Sequence, residues 1–289
     1  AYLQKDPDFI KKGRNWLSKK MSEATPKDAI GYANILGYFG NIIAWFPFGD
    51  TAQNLEEAIA CFEIILSVAN KKKLPQANIL KSDTLRLLGT AYCRRIKGDN
   101  AENLEKGIAT LKEALELITR ESVPEIWGFT QNSLGVAYRD RILGDKADNI
   151  ELSLAALEEA LKVRDRDNFP HHWAQTKMNL AAAYSYRVEG EKAENLELAK
   201  AANEAALEVY TSENSPVDWS QVQLNQGNVY FHRIKGEKSD NLEKAIACYN
   251  NALQVVTKSE FPYNWATIKT NLGNAYKDSE ITKAIACYR

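Results

Sequence analysis

One phrase returns along this chain at a fixed interval of 46 residues: Trp, Leu-Gly and Tyr, Arg, Gly, Asn, an alanine-rich run, then Pro. Trp127, Trp173, Trp219 and Trp265 mark the interval, as do Tyr92, Tyr138, Tyr184, Tyr230 and Tyr276. A period of this size requires units that stack on their neighbours, because each is too small to bury its own apolar face. Length then says little about domain count, although 289 residues would otherwise suit one or two ordinary domains.

Two helical patterns alternate within each period. Between Trp and Tyr the apolar residues recur at helical spacing, as in Trp127, Leu134 and Tyr138, which predicts a first helix, helix A. Gly89, Gly135, Ala181, Gly227 and Gly273 stand on it just before the tyrosine. A small residue there costs helix propensity and predicts close approach of a neighbouring helix. Arg95 to Gly98, Arg141 to Gly144, Arg187 to Gly190 and Arg233 to Gly236 read as the helix end. The arginine faces the negative end of the helix dipole, and the glycine takes a left-handed conformation. Asn54, Asn103, Asn149, Asn195 and Asn241 read as N-caps of a second helix, helix B. Its Ala245, Tyr249 and Ala252 share one face. Pro75, Pro124, Pro170, Pro216 and Pro262 close the units. The last four are placed to begin the next helix A, where a missing N–H costs nothing.

These residues resemble the tetratricopeptide repeat (TPR). Leu272-Gly273-x-x-Tyr276 matches that family's helix A pattern, and Ala245-x-x-x-Tyr249-x-x-Ala252 its helix B pattern. The family's usual period is about 34 residues, so both connections are longer here. Longer repeats of this kind look like those of kinesin light chain and its bacterial relatives. The phrase Asn-Leu-Gly-Asn-Ala-Tyr is especially similar to cyanobacterial proteins of that type. The resemblance implies an all-α, right-handed superhelical solenoid of antiparallel helix pairs. It also implies a concave groove, lined by the A helices, that takes extended or helical peptides.

Carried outward, the register predicts a capping helix segment over 1–28 and a TPR solenoid over 29–289. The repeats fall near 29–77, 78–123, 124–169, 170–215, 216–261 and, in part, 262–289. In the first, Gly40 and Ile43 take the glycine and tyrosine slots, and Phe48-Gly49-Asp50 replaces the usual turn. Phe9, Ile10, Trp16, Leu17 and Met21 make the cap amphipathic, as a terminal unit of a solenoid requires. Between Tyr276 and Glu280 the turn is shortened, which reads as a short hairpin or an omitted loop. The chain itself reads as a fragment of a longer protein.

Lys+Arg 37 against Asp+Glu 38 argues against a nucleic-acid or anionic-membrane partner. There is no apolar stretch of spanning length and no signal peptide. The four cysteines form no CxxC pair; Cys61, Cys248 and Cys287 share one helix B slot and read as small core residues. A reducing, cytoplasmic compartment fits. No phosphate loop, dinucleotide fingerprint or HExxH motif is present, and His171-His172 reads as part of a loop without a metal-binding cluster. The expectation is a non-enzymatic chain with no catalytic residue, cofactor or metal.

A feature that repeats strictly serves the structure, whereas a ligand reads different repeats differently. Arg95, Arg141, Arg187 and Arg233 are therefore assigned to a structural contact with helix-end carbonyls and with Asp99, Asp145, Glu191 and Glu237. The tryptophans and Asn179, Asn225 and Asn271 are assigned to scaffold in the same way. Function is left to helix A positions that vary. By the family's register these are Arg86, Thr90 and Arg94, with Asp83; then Phe129, Asn132 and Arg139. Gln175, Met178 and Tyr186 follow, then Gln221, Leu224, Asn228 and His232, and last Thr270, Asn274 and Lys277. The expected function is a protein-interaction scaffold binding a protein or peptide in this groove, with oligomeric state left open. The alternatives are a regulatory array of a larger protein with a protease-like or kinase effector, and RNA binding.

Overall fold

The structure, a computed structural model, describes residues 8–46, 49–72, 74, 77–277 and 287. Among these the regular structure is all helix: α1 (Phe9–Glu23), α2 (Pro26–Ala44), α3 (Thr51–Lys72), α4 (Ala77–Cys93), α5 (Asn100–Glu116), α6 (Pro124–Asp140), α7 (Lys146–Leu161), α8 (Pro170–Tyr186), α9 (Lys192–Leu207), α10 (Pro216–His232), α11 (Lys238–Leu253) and α12 (Pro262–Tyr276). The chain divides within α7 into two compact units, Ala1–Asn149 and Ile150–Arg289. Phe48, Pro75, the shortened turn before Glu280 and the helix B pattern that follows it lie outside the described residues, Cys287 excepted, which is buried.

In the first unit α2 pairs with α3 and α4 with α5, while α6 packs on α5 and α4. The segment read as a cap forms α1, which lies on both α2 and α3. In the second unit α8 pairs with α9 and α10 with α11, and α12 packs on α11 and α10. Pro124, Pro170, Pro216 and Pro262 open α6, α8, α10 and α12 in the first turn. His171 and His172 consequently sit in the first turn of α8 and not in a loop. Trp127, Trp173, Trp219 and Trp265 are partly buried, with Trp173 and Trp219 packed beside Tyr210 and Val222.

The small slot on helix A marks a real steric limit. A β-carbon on Gly227 would lie 2.5 Å from the Tyr249 ring, and one on Gly89 would lie 2.8 Å from Leu111 and 3.0 Å from the Gly107 carbonyl. The helices cross there with no room for a methyl group.

The connection from A to B is built differently from its sequence reading. The asparagines do not cap helix B. The N-cap residues are Asp99, Glu191 and Glu237, each four residues earlier, and the Asp99 carboxylate accepts from the Glu102 N–H at 2.9 Å. Asp145 accepts likewise from the Asp148 N–H. Asn103, Asn149, Asn195 and Asn241 are buried inside the helix, and each donates its Nδ2 back to a loop carbonyl, at 2.8–2.9 Å. That carbonyl precedes the glycine, whose φ of 76–85° in Gly98, Gly144, Gly190 and Gly236 turns the loop toward the asparagine.

The arginines also have other partners than expected. Each arginine reaches the helix B of the preceding pair and forks onto one glutamate there, rather than onto the loop carboxylates. Arg95 donates to Glu56 at 2.7 and 2.8 Å, and Arg141 to Glu105 at 2.6 and 2.8 Å. Arg187 donates to Glu151 at 2.7 and 2.9 Å, and Arg233 to Glu197 at 2.7 and 3.2 Å. Bidentate geometry fixes both distance and rotation between successive helix pairs, which a point charge such as lysine would not do.

Candidate functional site

Each unit carries a groove on its A helices. In the first, α2, α4 and α6 enclose a pocket of about 410 Å³. Its polar lining is Asn34, Tyr38 and Asn41 from α2, Asp83 and Arg86 from α4, and Glu125 from α6, with Phe129 at one wall. In the second, α8, α10 and α12 enclose about 480 Å³ with help from Lys192 and Leu196 of α9. Its lining is richer in amides and hydroxyls: Ser185, Asn225, Asn228, Thr267 and Asn271, beside Tyr186 and His232.

The residues chosen from sequence divide between these grooves, the core and local pairs. Arg86 and Phe129 meet in the first pocket, the guanidinium 5.5 Å from the ring centroid and 2.6 Å from Asp83. Thr90 donates to the Arg86 carbonyl at 2.8 Å. Arg94 instead stacks 3.6 Å over Trp45 and donates to the Ala44 carbonyl, tying α4 to the end of α2. Arg139 is forked onto its neighbour Asp140 at 2.8 and 3.0 Å. Asn132 and Leu224 are only 8% exposed, so their side chains are packed and do not line a groove. Both share the slot of Arg86, which lines the first pocket, but here that slot is covered.

In the second unit Tyr186, Asn228 and His232 come together in one pocket. Gln175 accepts a bond from the buried Arg164 at 3.0 Å, and Met178 packs beside Val222 and Tyr210. Gln221 donates to Asn225 at 3.3 Å. Thr270, Asn274 and Lys277 are exposed, and the Thr270 hydroxyl is spent on the Ala266 carbonyl. Asn34, Tyr38 and Asn41 were missed because the groove register was not carried into the degenerate first repeat; they stand 49 residues before Asp83, Leu87 and Thr90, the offset that separates Asn54 from Asn103.

The second pocket's hydrogen-bonding pattern can be read atom by atom. Asn228 Oδ1 accepts from Tyr249 Oη and from Asn271 Nδ2, both at 2.9 Å, so the part of its amide left for a ligand is the Nδ2 donor. Asn225 Oδ1 accepts from Gln221, which again leaves a donor. Asn271 gives its Nδ2 to Asn228, and among the described residues its oxygen has no donor. The Ser185 and Thr267 hydroxyl protons are spent on the carbonyls of Ala181 and Tyr263, so their oxygens remain as acceptors. Partial desolvation by surrounding protein atoms, with the charge of Lys192 adding to it, holds His232 below its ordinary imidazole value although its surface is largely exposed, so it is neutral at pH 7. The wall thus presents both donors and acceptors and one neutral imidazole. Asn225 and Asn271, assigned above to scaffold, hold neighbouring groups and line the pocket at once. Among the described residues no cluster of His, Cys, Asp and Glu could hold a metal ion.

No family model matches the sequence, and no curated protein matches it. The structure is similar to the crystal structure of BtubC (BKLC) from P. vanneervenii, with a TM-score of 0.59 over 81% of this chain and 87% of that one. This is a TPR-like helical-repeat fold. Sequence identity to BtubC is 19%, so the likeness extends to the fold of the TPR-like chain and no further. Among the described residues of the TPR-like array, no helix is long and apolar enough to cross a membrane.

Proposed function

We propose that this TPR-like chain is a protein-interaction scaffold that takes an extended peptide segment in the groove of its second unit. A TPR-like repeat fold suggests a scaffold; the observation that supports a peptide is the alternation of amide donors and hydroxyl or carbonyl acceptors from Asn225 to Thr267. A peptide backbone carries one donor and one acceptor per residue and needs both kinds of partner. Tyr186, 63% exposed at the pocket edge, supplies an amphipathic ring for a side chain of the ligand. The likeness of the repeat phrasing to proteins of the kinesin light chain type is in keeping with this role, and the near-zero net charge gives nucleic acid no broad basic footprint.

The test is selection of binders from a displayed peptide library, followed by affinity measurement against two variants. Tyr186→Ala and His232→Ala change exposed groups at the pocket and leave the Asn228–Tyr249–Asn271 network intact. Each should weaken selected peptides about tenfold, the usual loss for one good contact. Peptides that bind both variants as tightly as the parent would sink the groove reading.

A further inference from the structure

One seam in the second unit has carboxamides at its centre. Where α9 meets α10, Val222 shares a cluster with Ala206, and Val229 shares one with Leu196 and Ala199. That antiparallel register sets Gln226 midway along the contact and opposite Asn203 of α9. The same two slots hold Phe62 and Leu88 where α3 meets α4, and Leu111 and Leu134 where α5 meets α6. They hold Leu157 and Leu180 where α7 meets α8, and Tyr249 and Leu272 where α11 meets α12. Each of those pairs lies within one hydrophobic cluster. Asn203 and Gln226 are as deeply buried, at 0% and 3% exposed. Yet Asn203 Oδ1, Asn203 Nδ2 and Gln226 Oε1 have no hydrogen-bond partner among the described residues.

A leucine pair holds a seam shut because opening exposes apolar surface to water. At the centre of the α9–α10 seam the sign is reversed. Opening there hydrates orphaned polar atoms, whose desolvation opposes closure. The flanking contacts set valine against alanine, Val222 with Ala206 and Val229 with Ala199, and the Arg233–Glu197 fork ties one end. The helix pairs on either side are firmer. α8 packs along α9, and α10 is locked to α11 by the Tyr249 ring over Gly227.

This seam also divides the pocket of the second unit. Ser185 and Tyr186 reach it from α8, and Asn225, Asn228 and His232 from α10. A relative movement of the two helix pairs changes the width between those walls. We propose that the α9–α10 seam is a joint at which this groove opens and shuts, and that a ligand touching both walls shuts it. Such a ligand shifts the balance by its difference in affinity for the two forms. The joint rests on the buried carboxamides, and its use by a peptide rests on the groove reading above.

Buried cysteine probes report the opening. Val222→Cys and Val229→Cys place a thiol on the α10 side of the seam, and Ala183→Cys places one in the Val229 slot where α8 meets α7. All three positions are 1% exposed or less. Labelling by a neutral maleimide, read site by site by mass spectrometry, should run at least tenfold faster in the two α10 variants than in Ala183→Cys. Adding Ala181→Gly, Asn203→Leu and Gln226→Leu gives the seam its neighbours' chemistry and should slow both at least tenfold. Thermal melts check folding, and either α10 probe suffices should the other fail to fold. Equal labelling in the three variants, or labelling untouched by the leucine pair, overturns the joint. That outcome includes carboxamides that bond each other or hold a trapped water. A peptide selected on the parent should slow the α10 probes at least tenfold at saturation, and one that binds without slowing them overturns the link from joint to groove. Fast labelling with no peptide selected sinks the peptide reading and upholds the joint, whereas tight peptide binding with equal labelling does the reverse.

Discussion

Where helix A crosses its helix B, the first unit sets Gly89 against Gly107 and Leu111, and the second sets Gly227 against Ala245 and Tyr249. Both are solutions to the same crossing. In the first, backbone meets backbone, and the space is so closed that a β-carbon on Gly107 would lie 2.3 Å from Cys93 Sγ and 2.8 Å from the Gly89 carbonyl. In the second, a tyrosine ring closes over the glycine and carries its hydroxyl through to Asn228 in the groove. The grooves differ accordingly. The first unit's charged side chains are neutralised locally, Arg86 by Asp83 and Arg139 by Asp140, whereas the second unit's amides are held by other amides and keep unused capacity. The contrast teaches that what lies behind a groove helps decide what its surface can offer.

The largest effect should come from breaking the tighter crossing. Gly107→Ala forces a backbone to move and should cost about 3 kcal/mol, against about 1–2 kcal/mol for Gly227→Ala, where an aromatic side chain can yield; each is partly offset by the better helix propensity of alanine. Chemical denaturation of the two variants measures the difference, and equal losses would erase the distinction between backbone and ring contact.

A third version of the crossing sharpens it. In the repeat of α8 and α9 the pair is Ala181 and Asn203, and Asn203 is fully buried with neither carboxamide atom hydrogen-bonded among the described residues. Restoring the Gly–Leu pair of the first unit, by Ala181→Gly with Asn203→Leu, should raise stability by about 1–2 kcal/mol, seen as a higher melting temperature.

The arginine forks should matter less, because they are partly solvated. Arg233→Met should cost about 1 kcal/mol and Arg187→Met about half of that, since the Arg233–Glu197 pair is the more enclosed. Hydrogen bonding from the arginines lowers the Glu56, Glu105 and Glu197 carboxyls below their ordinary value of 4.5. Their contribution is therefore complete above that value and is lost as pH falls through the lowered one, because the unfolded chain then binds more protons. Melts between pH 7 and pH 3 should show this loss in the parent and less of it in Arg141→Met.

The smallest effect separates the units by pH. His171, His172 and His232 all belong to the second unit. Because the His232 value is lowered, its neutral form is favoured in the folded chain, and stability is lost as pH falls from the ordinary 6.5 toward the lowered value. The loss should amount to a few tenths of a kcal/mol. An NMR titration of His232 with its midpoint at or above 6.5 would contradict the desolvation argument.

Much of the scaffold was legible because its causes are local. The prolines that open α6, α8, α10 and α12, and the small slot facing helix B, follow from sterics that act within a few residues. The capping of helix B was misread since Asp99 and Asn103 are both good N-cap residues, and composition alone does not say which begins the helix. The arginine partner was misread because it lies on another helix pair, beyond the reach of local spacing. Of the groove positions read by register, Tyr186, Asn228 and His232 line one pocket, but the slot of Arg86 is also that of Asn132 and Leu224, and only packing tells which members of a slot are covered.

Arg141, Arg187 and Arg233 each find their glutamate 36 residues back along the chain. Both members of every such bond move together when a 46-residue stretch is duplicated or excised. Unequal recombination could therefore lengthen or shorten this gene in whole units, and every surviving arginine would still meet its carboxylate. Array length is then a trait open to inheritance and selection without the invention of a single new contact.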